Sequence, residues 1–486
     1  MSLAGKLALR RTGGAFLLIA AAYAAARLWR LTAYSLRPDE IFSLQTARHD
    51  WTGLLGAAVR DAVHPPLFYL SLKAWIGLGG ESELWLRLLP VLFALVTPVP
   101  FVLLGRQLGA RWSAINLGLL LMAVNAYLVY YAQELRMYSL LPLLTLTSLW
   151  LFFRVKDGAH VDWKAWLALF AANLLLVYTH NFGWLVVAGE GVILLVSRRD
   201  RVRGFALSTA ALLLLFAPWA YLVTRTLLGR GGLESNIGSF PRPSAVGDLG
   251  GYYVLLAGLT DSRALTVVGV TLINVVLLIM ALRLGTQAAP AAEARRTRAG
   301  FWSLALFAAM PVLVVFLLSQ VLPQSIWGTR FLVLSAAPYL LLVGMSVDAL
   351  RPPWLRGASI ALVAAYVVVA GAQGLRNTGK NDWRPLVQRM TAAEESREPG
   401  IVVYSFGSMD ETIAFYANEA GEHRFSTRRI RDPGAMQGQH FWVAYRESLR
   451  PSPQEVLKAS GYRVGEGLRD GFGAVLLPAW RDAPPD

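Results

Sequence analysis

Two adjacent carboxylates, Asp39 and Glu40, stand in the segment Arg37-Pro-Asp-Glu40, and 24 residues after Glu40 the chain reads His64-Pro-Pro66. Both motifs fall between the first apolar run and the next convincing one. Ionisable groups at a hydrocarbon boundary are costly to place and mark function by default. A carboxylate there can take the proton of an acceptor hydroxyl. Arginine, with its planar fork of donors, suits a departing phosphate. Such cations recur: Arg87 opens the second long run, and Tyr131-Ala-Gln-Glu-Leu-Arg-Met-Tyr138 carries Glu134, Arg136 and Tyr138. Thr179-His-Asn181 offers His180, and Trp327-Gly-Thr-Arg330 offers Arg330. Each alone has a plain structural explanation: a local ion pair, a turn cap, a helix start at proline or a snorkelling arginine. Their convergence on one face argues for a site. The chemistry it suits is transfer from a lipid phosphate donor, with Asp39 as base, Glu40 beside it, and His64, Arg87, Glu134, Arg136, Tyr138, His180 and Arg330 around the donor.

The elements that must position these groups are membrane helices. Of 486 residues 55% are hydrophobic and only 16% charged, the composition of a polytopic membrane protein. A net charge of +15 would suggest nucleic acid in a soluble chain. Here it reads as Lys and Arg gathered in cytoplasmic loops, so no nucleic-acid partner is expected. With no cysteine there is neither disulfide nor thiolate metal site. Apolar runs near 12–32, 88–105, 113–130, 138–153, 165–179, 183–197, 204–223, 263–282, 301–320, 331–349 and 357–375 predict an all-α bundle of about 11 transmembrane helices. The first run reads as an uncleaved signal anchor. Two compromised runs, 64–80 and 251–259, are expected to be juxtamembrane or re-entrant; the former opens on two prolines and carries Lys73.

The positive-inside rule places the N-terminus in the cytoplasm. The loops with Arg106 and Arg111, with Arg154, Lys156 and Lys164, with Arg198 to Arg203, and with Arg351 and Arg356 then also lie inside. The loops carrying the candidate site fall outside. After Leu375 the composition turns charged and mixed. Strand-like 401–404, helical 410–419, strand-like 441–445, helical 453–460 and strand-like 473–477 predict a small α/β soluble domain on the outer face. Two domains are expected: 1–375, the transmembrane catalytic domain, and 376–486, extracytoplasmic.

At these motifs the chain resembles a known family. Arg-Pro-Asp-Glu, His64-Pro-Pro-Leu-Phe-Tyr-Leu70, Gly80-Glu-Ser-Glu83 with Arg87-Leu-Leu-Pro90, and later Tyr178-Thr-His-Asn-Phe-Gly183, Arg330-Phe-Leu-Val-Leu-Ser-Ala-Ala-Pro338 and Asp382-Trp-Arg384 occur in the order seen in bacterial glycosyltransferase family 39 proteins. These are relatives of the protein O-mannosyltransferases and of the lipid A aminoarabinose transferase. The resemblance implies the type C glycosyltransferase fold, with juxtamembrane helices in the first outer loop. It implies a polyprenyl-phosphate-linked sugar as donor, an inverting single displacement, and a glycan, lipid or protein acceptor at the outer face of a bacterial inner membrane. It puts Asp39 at the base position and His64 near the donor phosphate. One departure is visible: Ile41 and Phe42 follow Glu40 where the aminoarabinose branch has arginine.

Rival readings from other classes are a lipid or polysaccharide flippase, and a non-catalytic subunit of an envelope assembly. The first usually carries paired halves, and the sequence has no internal repeat. His64, His180, Glu40 and Glu134 also make a divalent metal ion a possible cofactor, since imidazole and carboxylate suit such ions.

Overall fold

The computed structural model describes residues 3–61, 64–158, 160, 162–229, 241–243, 246–286, 292–376, 381–393, 401–406, 409–419, 425–432, 435–470 and 473–481. Its helices are α1 (Leu3–Leu28), α2 (Pro38–Arg48), α3 (Trp51–Asp61), α4 (Leu67–Gly79), α5 (Glu83–Val96), α6 (Pro98–Gln107), α7 (Trp112–Val124), α8 (Ala126–Ala132), α9 (Leu140–Asp157) and α10 (Trp163–Thr179). There follow α11 (Gly183–Ser197), α12 (Arg199–Gly229), α13 (Val246–Ala257), α14 (Arg263–Thr286), α15 (Ala292–Val321), α16 (Ala336–Asp348), α17 (Pro353–Arg376), α18 (Arg384–Ala392), α19 (Asp410–Glu419) and α20 (Pro453–Ala459). The chain forms two compact units: residues 1–29, 46–81 and 85–378, and residues 30–45, 82–84 and 379–486.

The first unit is an apolar helical bundle of a multi-pass membrane protein. Helices occupy all eleven apolar runs. Among the described residues six helical stretches are long and apolar enough to cross a membrane, with α5 and α6 counted as one stretch and α16 counted with the 3-10 turn before it, and seven if α7 and α8 form one broken span. The remaining runs give shorter helices: α10 has 17 residues and α11 has 15. α9 has 18, but its last turn carries Arg154 and Lys156. The 64–80 run forms α4, whose 13 residues rise only about 20 Å against a hydrocarbon core of about 30 Å. It is therefore too short to span, as expected. It is tied to α5 by a stacked indole pair, Trp75 and Trp85, 4.1 Å apart. Each Nε1–H donates to the other's backbone carbonyl at 2.7 and 2.9 Å.

The run 113–130 departs from a single straight helix. α7 and α8 meet at a 66° bend. Asn125 causes it: its side chain accepts the Leu128 N–H at 2.9 Å, an N-cap that starts a new helix. Its amide also donates to the carbonyls of Leu255 and Leu256 at 3.0 Å. The break orphans carbonyls at the end of α7, which hydrocarbon cannot satisfy. Arg27, 1% exposed, donates to Met122 O and Ala123 O at 2.9 and 3.2 Å and lies 3.3 Å above the Tyr23 ring. A cation at a helix C-terminus is also favoured by the dipole.

The second unit holds a mixed sheet of six strands: β1 (Ile401–Phe406), β2 (Phe425–Ile430), β3 (His440–Arg446), β4 (Arg463–Val464), β5 (Leu468–Arg469) and β6 (Ala474–Trp480). The order is β2-β1-β3-β6-β4, with β5 also on β6. β1 pairs in parallel with β2 and β3, and β6 is antiparallel to β3. β2 has no counterpart among the sequence expectations. It is an edge strand reading Phe-Ser-Thr-Arg-Arg-Ile, whose exposed arginines guard the edge and erase the apolar alternation. Tyr404, Phe441, Val443, Leu477 and Tyr462 form the core, with edge-to-face ring contacts at 5.1 Å.

Candidate active site

The acidic motif belongs to the second unit. Pro38 is the first residue of α2, so its missing N–H costs nothing there. Glu40, 1% exposed, turns back so that its Oε2 accepts the Arg37 N–H at 2.9 Å, half of a capping box. Asp39 points the other way and is exposed. The two carboxyls diverge, as consecutive residues in a helix must.

The loop before Asp39 is held by the α/β unit. Leu36 N–H donates to the Tyr416 hydroxyl at 2.7 Å, and that hydroxyl donates to Glu83 at 2.6 Å. Arg384 bonds Glu83 at 2.9 Å, Asp382 at 2.9 Å and the Thr32 carbonyl at 2.7 Å. Ser35 Oγ accepts the Trp383 N–H at 3.2 Å and donates to the Asn381 carbonyl at 3.2 Å. Asp382-Trp-Arg384 is thus a clamp on residues 32–36. Near α2, burial together with the charges of Asp410 and Asp39 raises the pKa of Glu411.

In the helical unit four chain segments meet at a second cluster. His64 Nδ1 lies 2.8 Å from Asp61 Oδ2, which also accepts the His64 N–H at 3.2 Å and the Tyr69 hydroxyl at 3.4 Å. Arg136, 3% exposed, donates to Tyr69 at 3.3 Å. Its other terminal nitrogen is 3.2 and 3.3 Å from the two nitrogens of His64. An in-plane position at those distances would collide with Cε1, so the guanidinium sits over the imidazole face. His180 packs 5.9 Å from His64 and 5.3 Å from Phe331, and the Arg330 guanidinium lies 5.2 Å from the same phenyl ring.

Tyr138 closes the cluster against Tyr131 and Phe331 at 5.2 and 6.4 Å. The 3-10 segment Thr329–Ser335 that carries Arg330 is fixed by Tyr127 donating to the Thr329 carbonyl at 2.6 Å.

Protonation follows from these contacts. Burial lowers the pKa of His64, and the charge of Arg136 lowers it further. Burial also holds His180 far below the usual histidine range, with His64, Arg136 and Arg330 acting in the same sense. Burial alone would raise Asp61, but His64 and Arg136 outweigh it and hold the carboxyl below its ordinary value. His180 Nδ1 accepts the Phe182 N–H at 3.1 Å, which puts the proton on Nε2. That Nε2 is buried and has no hydrogen-bond partner among the described residues. The cluster therefore brings together two guanidinium groups and one neutral N–H donor.

This donor set is a poor match for the divalent metal ion considered for His64, His180, Glu40 and Glu134. His180 Nε2 bears a proton instead of a lone pair, and the arginine charges oppose a dication. Among the described residues no three His, Asp or Glu are grouped to hold one.

Solved structures share this architecture. ArnT from Cupriavidus metallidurans in the apo state superposes with a TM-score of 0.59 at 15% identity, covering 96% of this chain and 98% of that one. The same protein bound to undecaprenyl phosphate gives 0.58 at 15% identity, over 95% and 97%. The apo oligosaccharyltransferase of Archaeoglobus fulgidus gives 0.52 at 13% identity, over 87% of this chain and 65% of that one. This is the type C glycosyltransferase fold. No protein-family model and no curated protein matches the sequence.

Within the type C frame, the structure brings His64, Arg136, Tyr138, His180 and Arg330 together. Arg87 is buried in α5, and Glu134 is buried with its carbonyl accepting the Arg136 N–H at 2.6 Å. Sequence reasoning missed Asp61, although it stands three residues before His64, and missed Tyr69 and Arg27. It also missed Glu190, a fully buried carboxyl in α11 bonded to Ser148 at 2.6 Å and Asn173 at 2.8 Å. One acid inside the apolar run 183–197 was its only signal.

Proposed function

We propose that the chain is an integral-membrane glycosyltransferase that moves a sugar from a polyprenyl-phosphate donor to an extracytoplasmic glycan, lipid or protein acceptor. The observation that carries this reading is the cluster of buried Arg136, half-buried Arg330 and the neutral His180 Nε2–H, an anion-binding set in a fold whose ArnT example is described as bound to undecaprenyl phosphate. Residues 1–375 are the transmembrane domain of this reading and 376–486 its extracytoplasmic α/β domain, in a bacterial inner membrane.

Asp39 is the general base and accepts the proton of the acceptor hydroxyl. The acceptor oxygen bonds to the anomeric carbon as the bond to the phosphate oxygen breaks. The polyprenyl phosphate leaves with the electron pair as a stable anion, so no general acid is required. Arg136, Arg330 and His180 stabilise its charge through hydrogen bonds. Glu40, occupied by the cap, positions α2. His64 and Tyr138 complete the donor surroundings. A single displacement inverts the anomeric configuration.

The deciding experiment incubates purified protein and Asp39→Asn with a radiolabelled polyprenyl-phosphate sugar and envelope extract. The variant should bind donor with unchanged affinity and transfer nothing. Retained configuration in the product, or wild-type turnover by the variant, rules the mechanism out.

A further inference from the structure

The α/β unit carries an open cavity of about 580 Å³ that the transfer reaction does not use. Its position follows from the strand order. β1 lies between β2 and β3 and runs parallel to both. The chain therefore leaves β1 toward one side, returns through β2, and crosses to the other side for β3. Where connections diverge in this way a crevice opens at the carboxyl ends of the strands, the usual place for ligands in parallel sheets.

The cavity lies there: Phe406 ends β1, Ile430 and Arg431 end and follow β2, and Arg446 ends β3, with Ser448 and Arg450 just beyond. Its floor is apolar and its rim carries three arginines and a hydroxyl. Among the described residues no carboxylate lines it. Of the acids in this region, Glu447 pairs with Arg469 at 2.5 Å and Asp410 with Arg429 at 2.8 Å. Arg450 donates to the carbonyls of Glu447 and Leu449 at 2.6 and 2.9 Å, which shapes the loop after β3. Arg431 and Arg446 are exposed.

We infer that this switch-point cavity is a second binding site, specific for a phosphorylated sugar. An apolar floor packs the ring, while Arg431 and Arg446 bind phosphate oxygens in the manner of charge-assisted pairs. A volume within the range of about 300–1,000 Å³ typical of ligand pockets accommodates one or two sugar units. The inference concerns binding to the α/β unit and stands apart from the transfer reaction.

Calorimetric titration of the full chain in phosphatidylcholine nanodiscs tests it with glucose 6-phosphate, glucose and inorganic phosphate as probes. A parallel arm titrates soluble protein–detergent complex into nanodiscs bearing phosphatidylinositol 4-phosphate, which separates a free ligand from a lipid headgroup. Saturable binding of glucose 6-phosphate, at least tenfold tighter than glucose, is expected in the first arm if the ligand is soluble. Binding confined to the second arm identifies a headgroup. In either arm Arg431→Gln and Arg446→Gln should each weaken binding about tenfold, and the double variant should abolish it. Both side chains are exposed, so melting curves should stay unchanged. Absence of saturable binding in both arms, equal affinity for glucose, or binding that survives the double variant would overturn the inference.

Discussion

At the scale of single residues, Asp39 and Glu40 are neighbours in sequence with opposite environments. Asp39 is exposed at the start of α2, while Glu40 is buried and accepts the Arg37 N–H. Asp39→Asn should therefore stop turnover without loss of stability. Glu40→Gln keeps an acceptor oxygen and should retain most activity, whereas Glu40→Ala loses the cap and should cost about 1 kcal/mol of stability. Thermal melts beside transfer assays separate the two effects. Arg136 and His180 make a different prediction. A charge-assisted hydrogen bond contributes about 1.5–3 kcal/mol, so Arg136→Ala should weaken donor binding roughly 10- to 100-fold. His180→Phe removes the Nε2–H and should weaken it by a smaller factor. Equilibrium binding of a fluorescent polyprenyl phosphate measures both, and wild-type affinity in both variants would remove the anion-site assignment.

At the scale of elements, the turns that carry His64 and His180 hold two imidazoles neutral by burial and by the charge of Arg136. Their folded pKa values lie below the unfolded value of about 6.5. Between those values the unfolded chain binds more protons than the folded one, so stability rises with pH across the window. It should be fully present above about pH 6.5 and decline as pH falls toward the folded values. Asp61, depressed in the folded state, adds a further loss at still lower pH, below its unfolded value of about 3.9. Melting temperature in detergent should drop between pH 7.5 and 5.5. His180→Phe should flatten that dependence, and an unchanged slope would show that His180 is not buried neutral.

At the scale of the whole molecule, residues 30–45 fold with residues 379–486 and not with the helices on either side of them in sequence. The C-terminal unit then holds in place the loop that carries Asp39. Arg384→Ala breaks bonds to Glu83, Asp382 and the Thr32 carbonyl, and Tyr416→Phe breaks those to Leu36 and Glu83. Each should lower the turnover number at least tenfold while leaving donor affinity intact, because the groups proposed to bind the donor sit in the helical unit. A fall in donor affinity with unchanged turnover would contradict this. The orientation of both units is checked by reporters. A phosphatase fused after Trp480 should be active only outside the cytoplasm, and a fluorescent protein inserted after Arg199 should be bright inside it. The reverse pattern would mean that α4 crosses the membrane.

What the sequence determined by itself was whatever depends on local composition and period. Long apolar runs specify membrane helices because hydrocarbon forbids unsatisfied backbone. Two prolines and Lys73 kept 64–80 short, and short runs of β-branched and aromatic residues at 401–404 and 441–445 marked strands β1 and β3. The polar motifs were legible because charge inside apolar sequence is rare. The tertiary structure decided what depends on distant pairing. Asn125 looked like any residue of one span until the carbonyls of Leu255 and Leu256 took its amide and Arg27 covered the end of α7. β2 became a strand only because β1 offered its edge, since Arg428 and Arg429 hide its pattern. His180 acquired its tautomer from the Phe182 N–H and its neutrality from Arg136 and Arg330, which approach from other parts of the chain. The Asp382-Trp-Arg384 motif was visible in the sequence, but its grip on the loop before Asp39 spans some 350 residues. No periodicity reports a contact of that separation, because its free energy exists only once both surfaces are folded.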